Sequence, residues 1–272
     1  MKSGIRCLVA IHGAPRSGTS WIGEVFNSHP CVAYRFQPLF SYAFKGRLTG
    51  RSSAAEIEQL ANDLLATQDD FVLQRGSARL ATSTVSFAKD AATHLVYKEV
   101  RYHYVLENLL GSCPRAIGLG VIRNPCAVIS SWLNAPRDFR PEWDPMSEWR
   151  LARSKNQGRA EDYYGFEKWK EIANLFHKLA DRYPGRFSII RYEELVADPP
   201  AAFERAFAVC GLATTPEVLA FLDASRAADD HDPYGVFREP GVEQRWRDTL
   251  DPRIHQAIRN DLEHTELARY LF

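Results

Sequence analysis

Near its amino end the chain places a short, β-rich apolar run, Cys7–Ile11, directly before a turn of glycine, proline and serine, Gly13–Thr19, and then a helical stretch, Ser20–Asn27. This order constrains the fold more than any other feature. A strand that ends in a glycine-bearing turn and feeds a helix aims main-chain N–H groups and the positive end of a helix dipole at one point. Such a point holds an anion. His29-Pro30 stops the helix, because the residue before a proline is pushed out of helical geometry.

The rest of the chain repeats the alternation. Ser53 and Glu56 form a capping box ahead of a helix running to about Ala66. Leu95–Tyr97 reads as a second strand and Tyr102–Leu110 as a helix. Ile117–Ile122 reads as a third strand, with Pro125 suited to the first turn of the next helix. Asn134–Pro145 holds three prolines and reads as a loop. Phe166, Trp169, Ile172, Ala173, Phe176, Leu179 and Ala180 recur at helical spacing and predict a core-facing helix. Phe187–Ile190 is a fourth strand. Leu195–Gly211 and Pro216–Ala224 read as helices, Ala227–Gly241 as a long polar loop, and a last helix starts near Asp251-Pro252.

Alternating strands and helices predict an α/β fold: a three-layer sandwich with a central parallel sheet flanked by helices, P-loop NTPase-like, over residues 1–272 as one domain. With 45% hydrophobic residues the chain can bury a sizeable core, and with 25% charged residues it is not a disordered type. In such sheets ligands bind beyond the carboxyl ends of the strands. The turns after Ile11, Tyr97, Ile122 and Ile190 are therefore expected side by side.

Composition removes several classes. Lys plus Arg number 34, as do Asp plus Glu, so no overall field draws in nucleic acid or an anionic membrane. The five cysteines are Cys7, Cys31, Cys113, Cys126 and Cys210, with no CxxC and no Cys/His cluster, so neither a metal site nor a redox pair is expected. Reduced cysteines fit a cytoplasmic protein. No apolar run reaches the roughly 18 residues of a membrane span, and Met1–Gly13 reads as a first strand rather than a signal peptide.

The turn itself reads Gly13-Ala-Pro-Arg-Ser-Gly-Thr-Ser20, almost the phosphate-binding pattern G-x-x-x-x-G-K-[ST]. Thr19 stands where that pattern has lysine, and a cation comes earlier, at Arg16. A second anion motif closes the third strand: Arg123-Asn124-Pro125, with Ser131 eight residues past Arg123. In a nucleoside-triphosphatase this strand end usually carries an acid that holds Mg²⁺. A cation stands there instead, and arginine suits bidentate binding of a phosphate.

Pro15-Arg16-Ser17-Gly18-Thr19-Ser20-Trp21 resembles the 5′-phosphosulfate loop of sulfotransferases that use 3′-phosphoadenosine 5′-phosphosulfate (PAPS). The Arg123…Ser131 motif resembles the 3′-phosphate motif of the same family, and the pattern is closest to carbohydrate-type and bacterial members. The resemblance runs from residue 9 to about 250. It implies PAPS as co-substrate, 3′-phosphoadenosine 5′-phosphate (PAP) as product and no metal. It gives Arg16 contact with the phosphosulfate bridge and Trp21 the adenine environment. Arg191-Tyr192-Glu193-Glu194-Leu195 resembles a family segment in which the tyrosine approaches the nucleotide. Gln244-Arg245-Trp246-Arg247 resembles the Trp-Arg segment of carbohydrate members, and with Arg238 it supplies the charge available there. The R-K-G-x-x-G motif of cytosolic members is absent.

Sulfuryl transfer needs alignment of donor and acceptor, stabilisation of charge on the leaving group, and a base for the acceptor proton. A sulfuryl group carries less negative charge than a phosphoryl group, so arginine and lysine can serve. Arg16 and Lys98 are the expected cations. In Tyr97-Lys98-Glu99-Val100-Arg101-Tyr102-His103 the expected base is Glu99, with His103 the other available group. Phe36-Gln37-Pro38 stands where many carbohydrate members have Phe-Glu-Pro, so Gln37 can orient a hydroxyl but not take its proton. His12 reads as a buried histidine. The acceptor, a carbohydrate or other small-molecule hydroxyl, is expected among Tyr34–Phe44, Asn134–Trp149 and Ala227–Gly241, with Trp143, Trp149, Tyr163 and Tyr164 available for stacking. A small-molecule kinase on the same fold predicts Lys at position 19 and an acidic metal ligand after a strand. A non-catalytic nucleotide module predicts loss of Arg16 and Lys98. Neither prediction matches these residues.

Overall fold

The computed structural model describes residues 4–75, 92–227 and 244–272. Five strands are present among them: β1 Cys7–Gly13, β2 Val32–Phe36, β3 His94–Glu99, β4 Ala116–Ile122 and β5 Phe187–Arg191. The helices are α1 Thr19–Asn27, α2 Ala54–Ala66, α3 Leu106–Ser112, α4 Pro125–Leu133, α5 Pro145–Glu148, α6 Phe166–Arg182, α7 Tyr192–Ala197, α8 Pro199–Cys210, α9 Pro216–Ala227, α10 Trp246–Thr249 and α11 Pro252–Leu262.

The strands form one sheet in the order β2-β3-β1-β4-β5, and each described pair is parallel. The strand pleat sends alternate side chains to opposite faces, and each face has its own helical layer. Leu8 and Ala10 join a cluster with α2, α3, α4, α6 and α11. Cys7, Val9 and Ile11 join a second cluster with α1, α8 and α9. The expected three-layer parallel architecture is therefore present, and β1 lies at its centre. No helix among the described residues is long and apolar enough to cross a membrane.

Local chemistry fixes several boundaries. Ser53 caps α2 and Glu56 returns the bond, as the capping box requires. Pro125, Pro145, Pro199 and Pro252 each stand in a helical first turn, where the missing N–H costs nothing.

Three expectations need correction. The sheet has a fifth strand, β2, which sequence patterning did not single out. Its Arg35 is buried and donates to Leu64 O and Leu65 O, the open carbonyl end of α2, which makes a charge tolerable in a strand. The stretch from Leu195 to Gly211 is two helices, because Asp198 leaves helical geometry and caps α8 with a bond from Ala201 N. The helix expected over Tyr102–Leu110 begins as a 3₁₀ turn, His103–Val105, after Tyr102 takes a left-handed backbone (φ 55°). The loop expected over Ala227–Gly241 lies outside the described residues except at Ala227, where α9 ends.

Packing on β4 depends on missing side chains. A Cβ at Gly120 would sit 2.6 Å from Phe176 of α6 and 2.8 Å from Phe187 of β5. Both rings use that space. Gly120→Ala should lower unfolding free energy by about 1–3 kcal/mol by overpacking, measured by chemical denaturation. Unchanged stability would mean that the rings move aside.

Candidate functional site

The turn between β1 and α1 is built on left-handed backbone. Gly18 has φ 81° and Arg16, a non-glycine, φ 72°. A left-handed conformation costs an L-residue about 1–2 kcal/mol, and such residues cluster at functional turns. Gly18 also has no room for a side chain, since a Cβ there would lie 2.2 Å from the Tyr192 ring. No side chain caps α1 and no acid stands in its first turn. Ser17 is fully buried, and among the described residues its Oγ has no hydrogen-bond partner. A bare helix N-terminus beside an unsatisfied hydroxyl is a place for an anionic oxygen.

The second motif stands beside it because β4 pairs with β1. Arg123 Nη1 donates to Arg16 O at 3.0 Å, and Arg16 Nε donates to Ser131 Oγ at 3.1 Å. The two motifs therefore grip each other. Ser131, expected to share an anion with Arg123, accepts from Arg16 and so stands between the two motifs. The Arg123 guanidinium lies 4.6 Å from the Tyr192 ring, and its buried Nε has no hydrogen-bond partner among the described residues. Tyr192 is held between Gly18 and Arg123. Trp21 meets Tyr192 edge-on at 6.4 Å and Phe203 at 5.3 Å, and its Nε1 donates to Ser225 Oγ at 3.1 Å. Pro15 and Thr19 are buried, and Ser20 is half-buried at the first turn of α1.

β3 divides the next expected pair. Lys98 aligns with Ile11 and Glu99 with His12, so the pleat sends them to opposite faces. Lys98 is buried, its Nζ 4.3 Å from the Phe36 ring centre. Glu99 is fully buried, and its Oε1 accepts from Leu39 N at 2.7 Å, in the 3₁₀ turn Pro38–Phe40. Burial pushes its carboxyl up to about 8, against the pull of the Leu39 amide, Lys98 and Arg101. Gln37 precedes that turn in a left-handed conformation (φ 41°), donates from its own N–H to Lys98 O, and accepts from Arg101 Nη1 at 2.8 Å. Arg101 also covers the Phe40 ring at 4.1 Å. Sequence reasoning did not single out Arg101. Its signal was a cation three residues past Lys98.

The remaining expected residues differ in burial. His103 is fully buried, its Nδ1 3.1 Å from Nδ1 of His12, which is also fully buried. Trp246 is a core residue with its ring against His255 at 5.3 Å, while Arg245 and Arg247 are exposed. Arg238 lies outside the described residues. Trp149, Tyr163 and Tyr164 are buried, and Trp143 is half-buried against Phe139. The Tyr164 hydroxyl donates to Asp138 Oδ1 at 2.7 Å.

Fold and site together define a parallel α/β protein whose first strand ends in a turn of the G-x-x-x-x-G pattern, with Arg123 and Ser131 packed beside it and no lysine in the turn. The chain belongs to the Sulfotransferase family, whose model matches residues 9–216. Carbohydrate sulfotransferase 3 of Rattus norvegicus is 23% identical, over 94% of this chain and 66% of its own length. Its Homo sapiens counterpart is 23% identical over 94% and 65%. The chain thus spans about two thirds of the length of the curated relatives it matches. Among solved structures, mouse sulfotransferase SULT7A1 complexed with PAP is similar in fold, with a TM-score of 0.58 and 14% identity over 99% of this chain and 89% of that one. The sulfotransferase domain from the curacin biosynthetic pathway gives 0.56 and 17% over 95% and 98%.

The histidine pair has a pH consequence. Burial, with the neighbouring His103, holds His12 well below the ordinary imidazole range, and burial brings His103 down to about 3. The unfolded chain takes up these protons near pH 6.5 while the native state refuses them. The pair's stabilisation is therefore complete above pH 6.5 and lost as pH falls below it, by about 1.4 kcal/mol per pH unit for each proton refused. Glu99 acts in the opposite sense, because its raised carboxyl holds a proton in the native state that the unfolded chain releases above about 4.5. The pair is isolated by comparing wild type with His103→Gln. Denaturation between pH 7.5 and 5 should give the wild type the steeper acid loss; parallel curves would refute a neutral pair.

Proposed function

We propose that this chain moves a sulfuryl group from PAPS to a hydroxyl of a carbohydrate or other small-molecule acceptor, by in-line transfer without a metal. The observation that carries this reading is the interlock of two anion motifs, Arg123 Nη1 on Arg16 O and Arg16 Nε on Ser131 Oγ. A nucleotide with phosphate at both its 3′ and 5′ positions fits two such motifs, whereas a nucleoside triphosphate needs only the first. Ser17 Oγ and Arg123 Nε, each buried without a hydrogen-bond partner among the described residues, are donors that phosphate oxygens would satisfy. Thr19 and Ser20 begin α1 and add its open N–H groups. Trp21 and Tyr192 offer flat surfaces for a base. The curated relatives at 23% identity favour a carbohydrate acceptor.

When bound, PAPS supplies an activated sulfuryl group whose leaving group is PAP. Arg16 places a fixed positive charge where negative charge develops on departure. Lys98, from the neighbouring strand, neutralises the transferring group. Glu99 takes the acceptor proton. A carboxyl pushed up to about 8 is a base matched to neutral solution, and the Leu39 amide fixes its orientation. Gln37, braced by Arg101, orients the hydroxyl.

The reading is tested by calorimetry with PAP, ATP plus Mg²⁺ and 5′-AMP. PAP should bind most tightly. Arg123→Ala should cost PAP about tenfold to a hundredfold, the range for a charge-assisted hydrogen bond, and leave 5′-AMP unchanged. ATP binding as well as PAP would favour a kinase instead. The base assignment has its own test, a pH–rate profile. A base must be deprotonated to act, so kcat/KM should rise with pH up to about 8 and level off above it. Glu99→Gln should abolish that limb. If the limb survives the substitution, another group is the base.

A further inference from the structure

The peptide joining Arg123 to Asn124 is held on both sides. Trp169 Nε1 of α6 donates to Arg123 O at 3.0 Å. Asn124 N donates to Glu193 Oε1 of α7 at 2.8 Å. Asn124 also divides its side chain between two tasks. Its Oδ1 accepts from Cys126 N at 2.8 Å and caps α4, while its Nδ2 donates to Leu271 O at 3.0 Å. Two of these holds, through Trp169 and through Asn124 Nδ2, lead to one distant segment. The Tyr270 ring stands edge-on to Trp169 at 6.3 Å, and its hydroxyl lies 2.9 Å from His177 Nε2 of α6. Arg191, which ends β5 one residue before Tyr192, donates from Nη2 to the main-chain oxygens of Arg269 (3.1 Å) and Phe272 (3.0 Å). Its guanidinium also lies 5.8 Å from the Tyr270 ring.

We propose that the segment Glu266–Phe272 is a clasp that sets the position of Arg123, and that Asn124, Trp169 and Tyr270 are positioning residues for recognition of the nucleotide's 3′-phosphate. This rests on the sulfotransferase reading and specifies how its 3′-phosphate site is built. The physical need is plain. A guanidinium gives two matched bonds to a phosphate only if its fork is aimed, and Arg123 carries its fork at the end of a long side chain. A small rotation of the 123–124 peptide swings that fork far more than it moves the main chain. Fixing the carbonyl through Trp169 and the amide through Glu193 removes the rotation. The clasp ties Asn124 on β4's carboxyl end to Arg191 on β5's, so the Arg123 and Tyr192 sides of the site move as one body.

Two substitutions separate this role from general packing. Trp169→Phe keeps a buried ring but removes the donor to Arg123 O. Asn124→Ser keeps a helix cap but cannot reach Leu271. Each is assayed by calorimetry with PAP and with 5′-AMP, after a thermal melt confirms folding. Both variants should lose about tenfold in PAP affinity, the size of one hydrogen bond to a charged partner, with 5′-AMP affinity unchanged. PAPS-dependent turnover should show the loss in KM for PAPS more than in kcat. A wild type that prefers PAP while both variants keep that preference overturns the clasp alone. Equal weakening of PAP and 5′-AMP also overturns it, because that is loosening of the whole site. A wild type that binds PAP and 5′-AMP alike overturns the sulfotransferase reading, and the clasp with it.

Discussion

The bond from Arg123 Nη1 to the carbonyl of Arg16 joins two elements that the chain separates by 107 residues. It can form only because β4 lies directly against β1, in register from Leu8↔Ala116 to Gly13↔Val121. Register matters here beyond the usual burial argument. A slip of one residue would reverse the facing of every side chain on β4 and carry Arg123 away from the loop. The hydrophobic pattern of two central strands therefore decides where two cations stand. The arginine of one motif is itself a hydrogen-bond donor to the main chain of the other.

The same pleat that unites Arg16 and Arg123 separates Lys98 from Glu99. The lysine faces the α1 layer beside Phe36, and the carboxylate faces the other layer under the Pro38–Phe40 turn. Gln37 bridges the divide, since its amide holds the carbonyl of Lys98 while its side chain holds Arg101. The left-handed backbone at Gln37 is what permits both.

Much of this architecture was legible in the residues. The strand–turn–helix at Gly13–Ser20 and the Arg123…Ser131 spacing are local in sequence and carry their geometry with them. What was not legible depends on distant partners. β2 was missed because Val32–Phe36 contains an arginine, and a charge inside a short strand argues against burial until the carbonyl end of α2 is seen beside it. Trp169 was read as core, which it is, yet its indole N–H reaches Arg123 O. The rule that a buried tryptophan needs a polar partner could have flagged it, though not named the partner. His103 and Glu99 were adjacent candidates in sequence, and only the fold shows one locked to His12 and the other to Leu39.

The substitution of lysine by Thr19 in the loop has a structural reason. The Thr19 methyl packs down on Gly13, where an ideal Cβ would come within 2.7 Å of it, and the residue is nearly inaccessible. Position 19 thus serves the junction of β1 and α1, and the loop's charge must come from elsewhere. Arg16 supplies it from a left-handed turn. Its Nε donates to Ser131 Oγ, which sets the direction of the guanidinium. The cost of left-handed backbone at position 16 is offset by a charge whose direction is set before any ligand arrives.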